Sequence, residues 1–407
     1  MKQLIFSIIS DQTIPNIQVI NEFRDENTEY MMLSTPSMQH KGVDTWIAQA
    51  CNISPTVIIC NNEYDLSDIE KQIASKDYSQ YDQLTINLTG GTKLMSMAVF
   101  NYFAKFPHCK MVYVPTPKRE KPCYKEIFPQ TAIKEFTAPL NINDYLNGYG
   151  YNYKMGKLSG LSIEYSKAFC DFFCHTDMSQ YDEAMLLLRK YRNKGKGVTK
   201  EEDFQRVKPL LTDSHFTPQE EGKLSVVEVK YLTGGWFEEY VYFRIKEELG
   251  IADDCIVTGA LLTRNTMKSN EKLYEQLLGE EVTTTHETAN DFDVMFVYHS
   301  TLFVIECKTS IINKIADPAG SGRLKEENIL GKTIYQVDSL KNKLGLYASA
   351  HIFTLSDFRT MRNVEDKGKR NNITNRLTEL IDRATYSHIS IADRHRIINA
   401  HSLLEII

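Results

Sequence analysis

The residues with the clearest chemical potential lie in DFDVMFVYHSTLFVIECKTS, residues 291–310, where Asp293, Glu306 and Lys308 interrupt two apolar stretches. Phe292–Tyr298 and Leu302–Lys308 read as buried strands joined by a short turn around His299–Ser300. A two-residue turn pairs Tyr298 with Thr301 and sets Asp293 directly across from Glu306, both side chains on one face. One further turn residue would shift the register and break that pairing. Period-two alternation puts Lys308 on the Glu306 face and turns Ile305 and Cys307 the other way. Two carboxylates side by side in an apolar setting repel each other and are costly to desolvate, and a divalent cation relieves both penalties. Oxygen ligands of this kind suit Mg²⁺ or Mn²⁺. Such an ion would polarise a scissile phosphate and acidify a water, while Lys308 orients that water or stabilises a pentavalent transition state. An isolated E-x-K at a strand end reads as an ordinary solvated salt bridge. The Asp thirteen residues upstream, on a paired apolar strand, turns the reading toward phosphodiester hydrolysis.

A second constellation lies near the N-terminus. Asn87-Leu88-Thr89-Gly90-Gly91-Thr92-Lys93 runs directly into a helical pattern, Leu94–Phe106. Two glycines let backbone N–H groups approach a ligand, Thr92 is suited to cap the helix, and a helix N-terminus attracts anions. Lys93 adds a full positive charge. Ser10, Gln12 and Asn16, in the segment SDQTIPN after the first strand, offer further polar contacts. There is neither a G-x-G-x-x-G fingerprint nor a Walker A motif, which argues against a dinucleotide cofactor. A tight strand-to-helix turn that needs glycine for geometry alone is the competing reading of the loop.

The elements that must position these groups follow from periodicity. Gln3–Ile9, Glu29–Thr35, Thr56–Cys60, Gln83–Thr89 and Lys110–Pro115 are short β-rich runs separated by helical patterns, notably Gly42–Cys51 and Thr92–Phe106. Alternating strands and helices predict a parallel sheet covered on both faces, a Rossmann-like α/β domain with both polar loops at the carboxyl edge of its strands. The Asn-, Gly- and Tyr-rich run 141–155 marks a boundary. Residues 156–225 are helical and charged, with a basic stretch at Arg189–Lys200. The expected division is therefore 1–140 for the first domain, 141–225 for a helical connector and 226–407 for the second domain. The last begins with a helix (Trp236–Leu249) and a strand (Cys255–Leu262) and continues past the hairpin with a helix (Lys332–Leu344) and a strand (Leu346–Thr354).

Composition narrows the class. A net charge of −6 does not mark a chain coated for nucleic acid, so contacts to phosphates must come from local patches such as the basic run Arg359–Arg376. No stretch approaches the roughly 18 apolar residues of a membrane span, so no membrane partner is expected. The run MKQLIFSIISDQ reads as a first strand rather than a signal peptide. Eight irregularly spaced cysteines read as free thiols in a reducing cytoplasm. Cys170 and Cys174 are close, but no second Cys/His pair has zinc-site spacing.

The D…E-x-K pattern on consecutive apolar strands resembles the PD-(D/E)xK superfamily of restriction-endonuclease-like folds. Asp293, Glu306 and Lys308 match its motif, with Asn290-Asp291-Phe292 standing where a proline is usual. The resemblance implies that the metal is held by Asp293, Glu306 and the Cys307 backbone carbonyl, with an acidic residue from the preceding helix. Phe237, Val241 and Ile245 form that helix's apolar stripe, which makes Glu238 the candidate and Glu239 its rival. Gln336 matches a position used near the active site in some members. Together with SDQTIPN and NLTGGTK, this resembles the CARF family of CRISPR-associated Rossmann-fold sensors, in the subgroup fused to a nuclease and found beside type III systems. That resemblance implies a homodimer whose paired sensor domains bind a cyclic oligoadenylate, usually cyclic tetra-adenylate, through Ser10, Gln12, Asn16, Thr89, Gly90, Gly91, Thr92 and Lys93. Ligand binding would then switch on cutting of single-stranded RNA or DNA, or nicking of duplex DNA. Two other readings remain: a sensor whose second domain only binds nucleic acid or protein, and an ungated restriction or repair nuclease.

Overall fold

The computed structural model describes the backbone of residues 1–116, 121–160, 163–264, 286–316, 324–363 and 365–407. Two lobes follow one another along the chain. In the first, β1 (Gln3–Ile8), β2 (Thr28–Ser34), β3 (Thr56–Ile59), β4 (Gln83–Asn87) and β5 (Cys109–Tyr113) pair in parallel in the order β3-β2-β1-β4-β5. These strands match the apolar runs in the sequence. The sheet then continues into an antiparallel hairpin, β6 (Cys123–Phe128) and β7 (Ala132–Glu135), which the sequence reading had not identified because its outward residues are charged.

Every residue of β1 is buried. Leu4, Phe6 and Ile8 belong to one core with Ile69, Val99 and Phe103, and Ile5 joins the other face with Ile17 and Ile47. These partners come from α1 (Ile14–Phe23), α3 (Val43–Cys51), α4 (Leu66–Ala74) and α5 (Lys93–Phe103), with α2 (Pro36–Lys41) leading into α3. Burying each large aliphatic side chain contributes roughly 1.5–3 kcal/mol, so strand alternation alone dictates helices on both faces.

The second lobe is a mixed sheet in the order β15-β14-β11-β10-β9-β8. Its strands are β8 (Tyr151–Lys154), β9 (Ile256–Arg264), β10 (His286–Tyr298), β11 (Thr301–Lys308), β14 (Ala348–Thr354) and β15 (Ile389–Ala392), with β12 (Ile312–Ala316) and β13 (Leu324–Asn328) forming a separate hairpin. The stretch 141–225, read above as a connector, is built into this lobe. It supplies α6 (Ile142–Asn147), the edge strand β8, α7 (Ile163–His175), α8 (Asp182–Asn193) and α9 (Glu201–Asp213). Phe169 and Phe173 of α7 pack on Trp236, the first residue of α11 (Trp236–Leu249), which follows α10 (Val226–Lys230). An aromatic core of this kind is not visible in a linear pattern, because Trp236 lies more than sixty residues from Phe169 and Phe173.

The two lobes share one apolar core, in which Ile17 and Tyr145 lie with Met295, Val297, Leu302 and Leu344. Polar contacts cross the same boundary. Gln18 Nε2 donates to Ser300 Oγ at 2.6 Å, Leu346 N donates to Gln12 Oε1 at 2.8 Å, and Tyr347 Oη donates to Pro115 O at 3.2 Å. All eight cysteines are free thiols, and no helix among the described residues is long and apolar enough to cross a membrane.

Candidate functional site

His299 and Ser300 adopt φ of 47° and 59°, so the β10–β11 turn has two left-handed residues, the type I′ geometry that matches strand twist. Tyr298 therefore pairs with Thr301, and the register runs through Val294 opposite Ile305. That brings Asp293 and Glu306 together at the far end of the hairpin. Lys308 Nζ lies 3.0 Å from Asp293 Oδ2 and 2.8 Å from Glu306 Oε2, so both carboxylates converge on one cation. Asp293 Oδ2 also accepts the Cys307 N–H at 2.7 Å, and Thr258 Oγ1 donates to the Asp293 carbonyl at 2.8 Å, which fixes the acid from both neighbouring strands.

The electrostatics record how uneasy this arrangement is. Burial first, and repulsion from Asp293 second, push the Glu306 carboxyl up to about 8, although Lys308 pulls the other way. Burial opposes the charge on Lys308, but Asp293 and Glu306 outweigh it and hold the ammonium well above the ordinary lysine range. One ammonium thus offsets two carboxylates only in part. The residues fit a divalent cation on this ground: their oxygens already meet at a point occupied by a single positive group. Among the described residues no cluster of three or more His, Cys, Asp or Glu side chains is disposed to hold a metal. Two carboxylates supplemented by water, main chain or substrate oxygens suit Mg²⁺ or Mn²⁺ better than a closed protein cage does.

Asp293, Cys307 and Lys308 lie in a cleft of about 890 Å³ that also takes in Glu238 and Glu239. Glu238 is half-buried there. Its rival Glu239 is buried and accepts from the Ser159 N–H and hydroxyl; burial raises its pKa, while those bonds act in the opposite sense. The cleft can open here because the chain makes a wide π-type turn at Tyr231–Gly235 between α10 and α11, with Gly234 at φ 153°. Gln336 is not brought to the site. It is exposed on the helix Ile329–Lys341, whose buried face carries Leu330, Ile334, Val337 and Leu340, and the helix reaches the cleft through Ile329. The Asn290 and Asp291 side chains lie outside the described residues.

Sequence reasoning missed one wall of the cleft. Gly156, Lys157 and Ser159, Arg189 and Arg192 of α8, Lys230 of α10, and Thr258 and Gly259 of β9 all line it. Most come from the stretch taken as a connector. The basic run beginning at Arg189 was the one sequence signal that pointed there.

In the first lobe, strand order reverses between β1 and β4, and there the two polar loops meet, as an open α/β sheet requires. A Cβ on Gly90 would sit 2.1 Å from Ile8 O, and Gly91 has φ 73°, so both positions demand glycine. Thr92 Oγ1 caps α5 by accepting from Met95 N at 3.2 Å, and Lys93 is exposed at the start of that helix. Ser96 Oγ ties the loop to α5 through the Leu88 and Gly90 carbonyls.

Several expected contact residues instead build the cradle. Asn16 is fully buried; its Nδ2 donates to Ile8 O and its Oδ1 accepts from Asn87 Nδ2 at 2.7 Å. Thr89 Oγ1 donates to Asn87 Oδ1 and accepts from Val114 N. Ser10 Oγ stays half-buried near the Gln12 carbonyl at 3.5 Å. Gln12 is engaged with the second lobe, its Oε1 accepting from Leu346 N and from Tyr149 Oη at 3.3 Å.

A sheet-edge cradle of glycines and a helix N-terminus, joined to a second lobe with a carboxylate–lysine cleft, defines a two-part class of sensor and effector. Residues 4–145 match the family model of the Card1 CARF domain, and residues 226–377 match that of the Card1-like endonuclease domain. The chain therefore belongs to the CARF proteins that carry a Card1-like endonuclease domain, and its second lobe is a nuclease lobe. No protein of curated function matches it significantly. Among solved structures, VC1899 from Vibrio cholerae superposes with a TM-score of 0.68 at 15% identity, covering 97% of this chain and 94% of that one. Can2 from Sulfobacillus thermosulfidooxidans, solved in complex with cyclic tetra-adenylate, gives 0.63 at 18% identity over 97% and 96%. At such identities the likeness establishes the two-lobe fold.

Proposed function

We propose that this protein is a metal-dependent endonuclease of type III CRISPR antiviral defence, switched on by a cyclic oligoadenylate, cyclic tetra-adenylate first among them. It would cut single-stranded RNA or DNA, or nick duplex DNA. The observation that carries the reading is the convergence of Asp293 and Glu306 on Lys308 in a chain that also holds the Gly90–Gly91 cradle at its switch point. The fold shared with Can2 in its cyclic tetra-adenylate complex supports the choice of ring.

The nuclease site is of the PD-(D/E)xK type. Asp293 and Glu306 would hold a Mn²⁺ or Mg²⁺ ion, with the Cys307 carbonyl and Glu238 as further donors; when bound, the ion would supply Lewis-acid polarisation of the scissile phosphate. Lys308, which bridges the two carboxylates, would orient the attacking water or neutralise charge on the pentavalent phosphorus. The Cys307 N–H keeps Asp293 fixed throughout. In the sensor, Gly90, Gly91, Thr92 and Lys93 receive phosphates and riboses, with Ser10 at the rim and Asn16 and Thr89 shaping the loop.

A two-fold ring suits a pocket made from two copies of the cradle, so the working unit is a homodimer in the cytoplasm. Activation is a shift toward the conformation the ring binds best. The deciding experiment incubates labelled single-stranded RNA, single-stranded DNA and supercoiled plasmid with Mn²⁺, with and without cyclic tetra-adenylate. Cutting that requires both additions supports the reading. Cutting without the ring points to an ungated nuclease, and tight ring binding without any cutting points to a pure sensor.

A further inference from the structure

The cleft at the nuclease site has two chemically different walls. Carboxylates Asp293, Glu238 and Glu239 come from β10 and α11, and cations Arg189, Arg192 and Lys230 from α8 and α10. In a chain of net charge −6 this basic wall is a local feature. Arg192 is exposed but positioned, its Nη1 lying 3.2 Å from the Thr233 carbonyl and 3.4 Å from Thr233 Oγ1, against the turn at Gly234. Arg189, one turn earlier on α8, is half-buried. Among the described residues its guanidinium makes no hydrogen bond or ion pair; Asp182 acts on it only through space. Burial depresses the basicity of this group, with Arg192 adding repulsion. A partly desolvated guanidinium is stabilised by a bidentate oxyanion, a carboxylate or a phosphate, and at a nuclease cleft the oxyanion offered is the phosphate of the strand.

We propose that Arg189, flanked by Arg192, binds a backbone phosphate of the polynucleotide substrate and so sets the strand against Asp293, Glu306 and Lys308. The inference rests on the nuclease reading and adds to it the residue that grips the strand. It also gives the basic run that begins at Arg189 a role in the site. Because the contact is to phosphate, it is blind to base sequence: it sets affinity and strand position and leaves base preference to other groups.

The experiment uses the full-length protein with Glu306→Gln, which keeps the strand uncut, and a fluorescent single-stranded oligonucleotide titrated at several salt concentrations with Mn²⁺ and cyclic tetra-adenylate. Adding Arg189→Gln is expected to raise Kd about tenfold at 0.1 M salt and to reduce the slope of log Kd against log salt by about 0.7, the value for one single-strand phosphate contact. Arg189→Lys keeps the charge and is expected to hold the slope while losing part of the affinity. In the cutting-competent protein, Arg189→Gln raises KM far more than it lowers kcat. Wild-type Kd and slope in Arg189→Gln would overturn the assignment. So would a fall in Tm shared by Arg189→Gln and Arg189→Lys with no recovery of binding, since that marks a structural arginine. A wild-type protein that binds the strand through Arg189 yet never cuts leaves this contact standing and removes the nuclease reading instead.

Discussion

At the sensor cradle Asn16, Asn87 and Thr89 exchange hydrogen bonds with one another and with the Ile8 carbonyl, so their polar groups are matched before any ligand arrives. At the nuclease cleft Asp293, Glu306 and Lys308 face one another, and burial first, then repulsion from Asp293, push the Glu306 carboxyl up to about 8. The first region is a backbone shape whose polar groups are already satisfied within the fold. The second sets two buried carboxylates against one ammonium, a strain that a divalent cation would relieve under the proposed function. The difference teaches where each site is vulnerable: the cradle to changes in backbone geometry, the cleft to changes in charge. Between them run the contacts of Gln12 with Leu346 and Gln18 with Ser300. The second is notable because Ser300 belongs to the turn of the same hairpin whose other end carries Asp293 and Glu306.

The largest expected effect tests the charge side of this contrast. Glu306→Gln should cut cleavage by on the order of 10²–10³-fold, the equivalent of several kcal/mol of lost electrostatic stabilisation. It should also abolish the rise in Tm that the proposed function expects Mn²⁺ to give the wild type, while isothermal titration should show ring binding unchanged. If both activities fell together, the two regions would not be separable.

Next in size, Lys93→Ala removes an exposed charge at the start of α5 and should weaken ring binding about tenfold, as a lost charge-assisted contact does. The test is a ring titration of cleavage: the curve should shift to higher ring concentration with the same plateau. A lowered plateau would place Lys93 in the coupling rather than in the cradle.

A smaller effect is expected from Gln18→Ala, which deletes a hydrogen bond of about 1 kcal/mol. If that bond differs between the resting and active forms, the ratio of ring-stimulated to basal cutting changes up to about fivefold while ring Kd holds. An unchanged ratio would assign the contact to stability alone. Smallest of all, Gln336→Ala should leave kcat and KM within about twofold, as expected for a surface position, because the side chain is exposed and outside the cleft.

The sequence by itself determined a good deal. Short β-rich runs between helical patterns located β1 to β5, and the TGGTK loop was recognisable from its paired glycines, capping Thr92 and Lys93 ahead of a helix; the structure adds that Ile8 O leaves no room for a Cβ at Gly90. The Asp293–Glu306 pairing was computable from a two-residue turn, since short loops fix hairpin register locally. Tertiary structure alone decided the rest. Gln336 went to solvent because α-helical phase, not motif position, sets which face meets the core. Asn16 and Thr89 both turned inward onto Asn87 because two loops far apart in sequence meet at the strand-order reversal. Arg189 reached the cleft because α8 of the 141–225 stretch lies against the turn at Tyr231–Gly235, where Arg192 donates to the Thr233 carbonyl. Local patterns record the period and the turn chemistry of each element, whereas these outcomes depended on which elements pack together, and that depends on long-range burial that no short window contains.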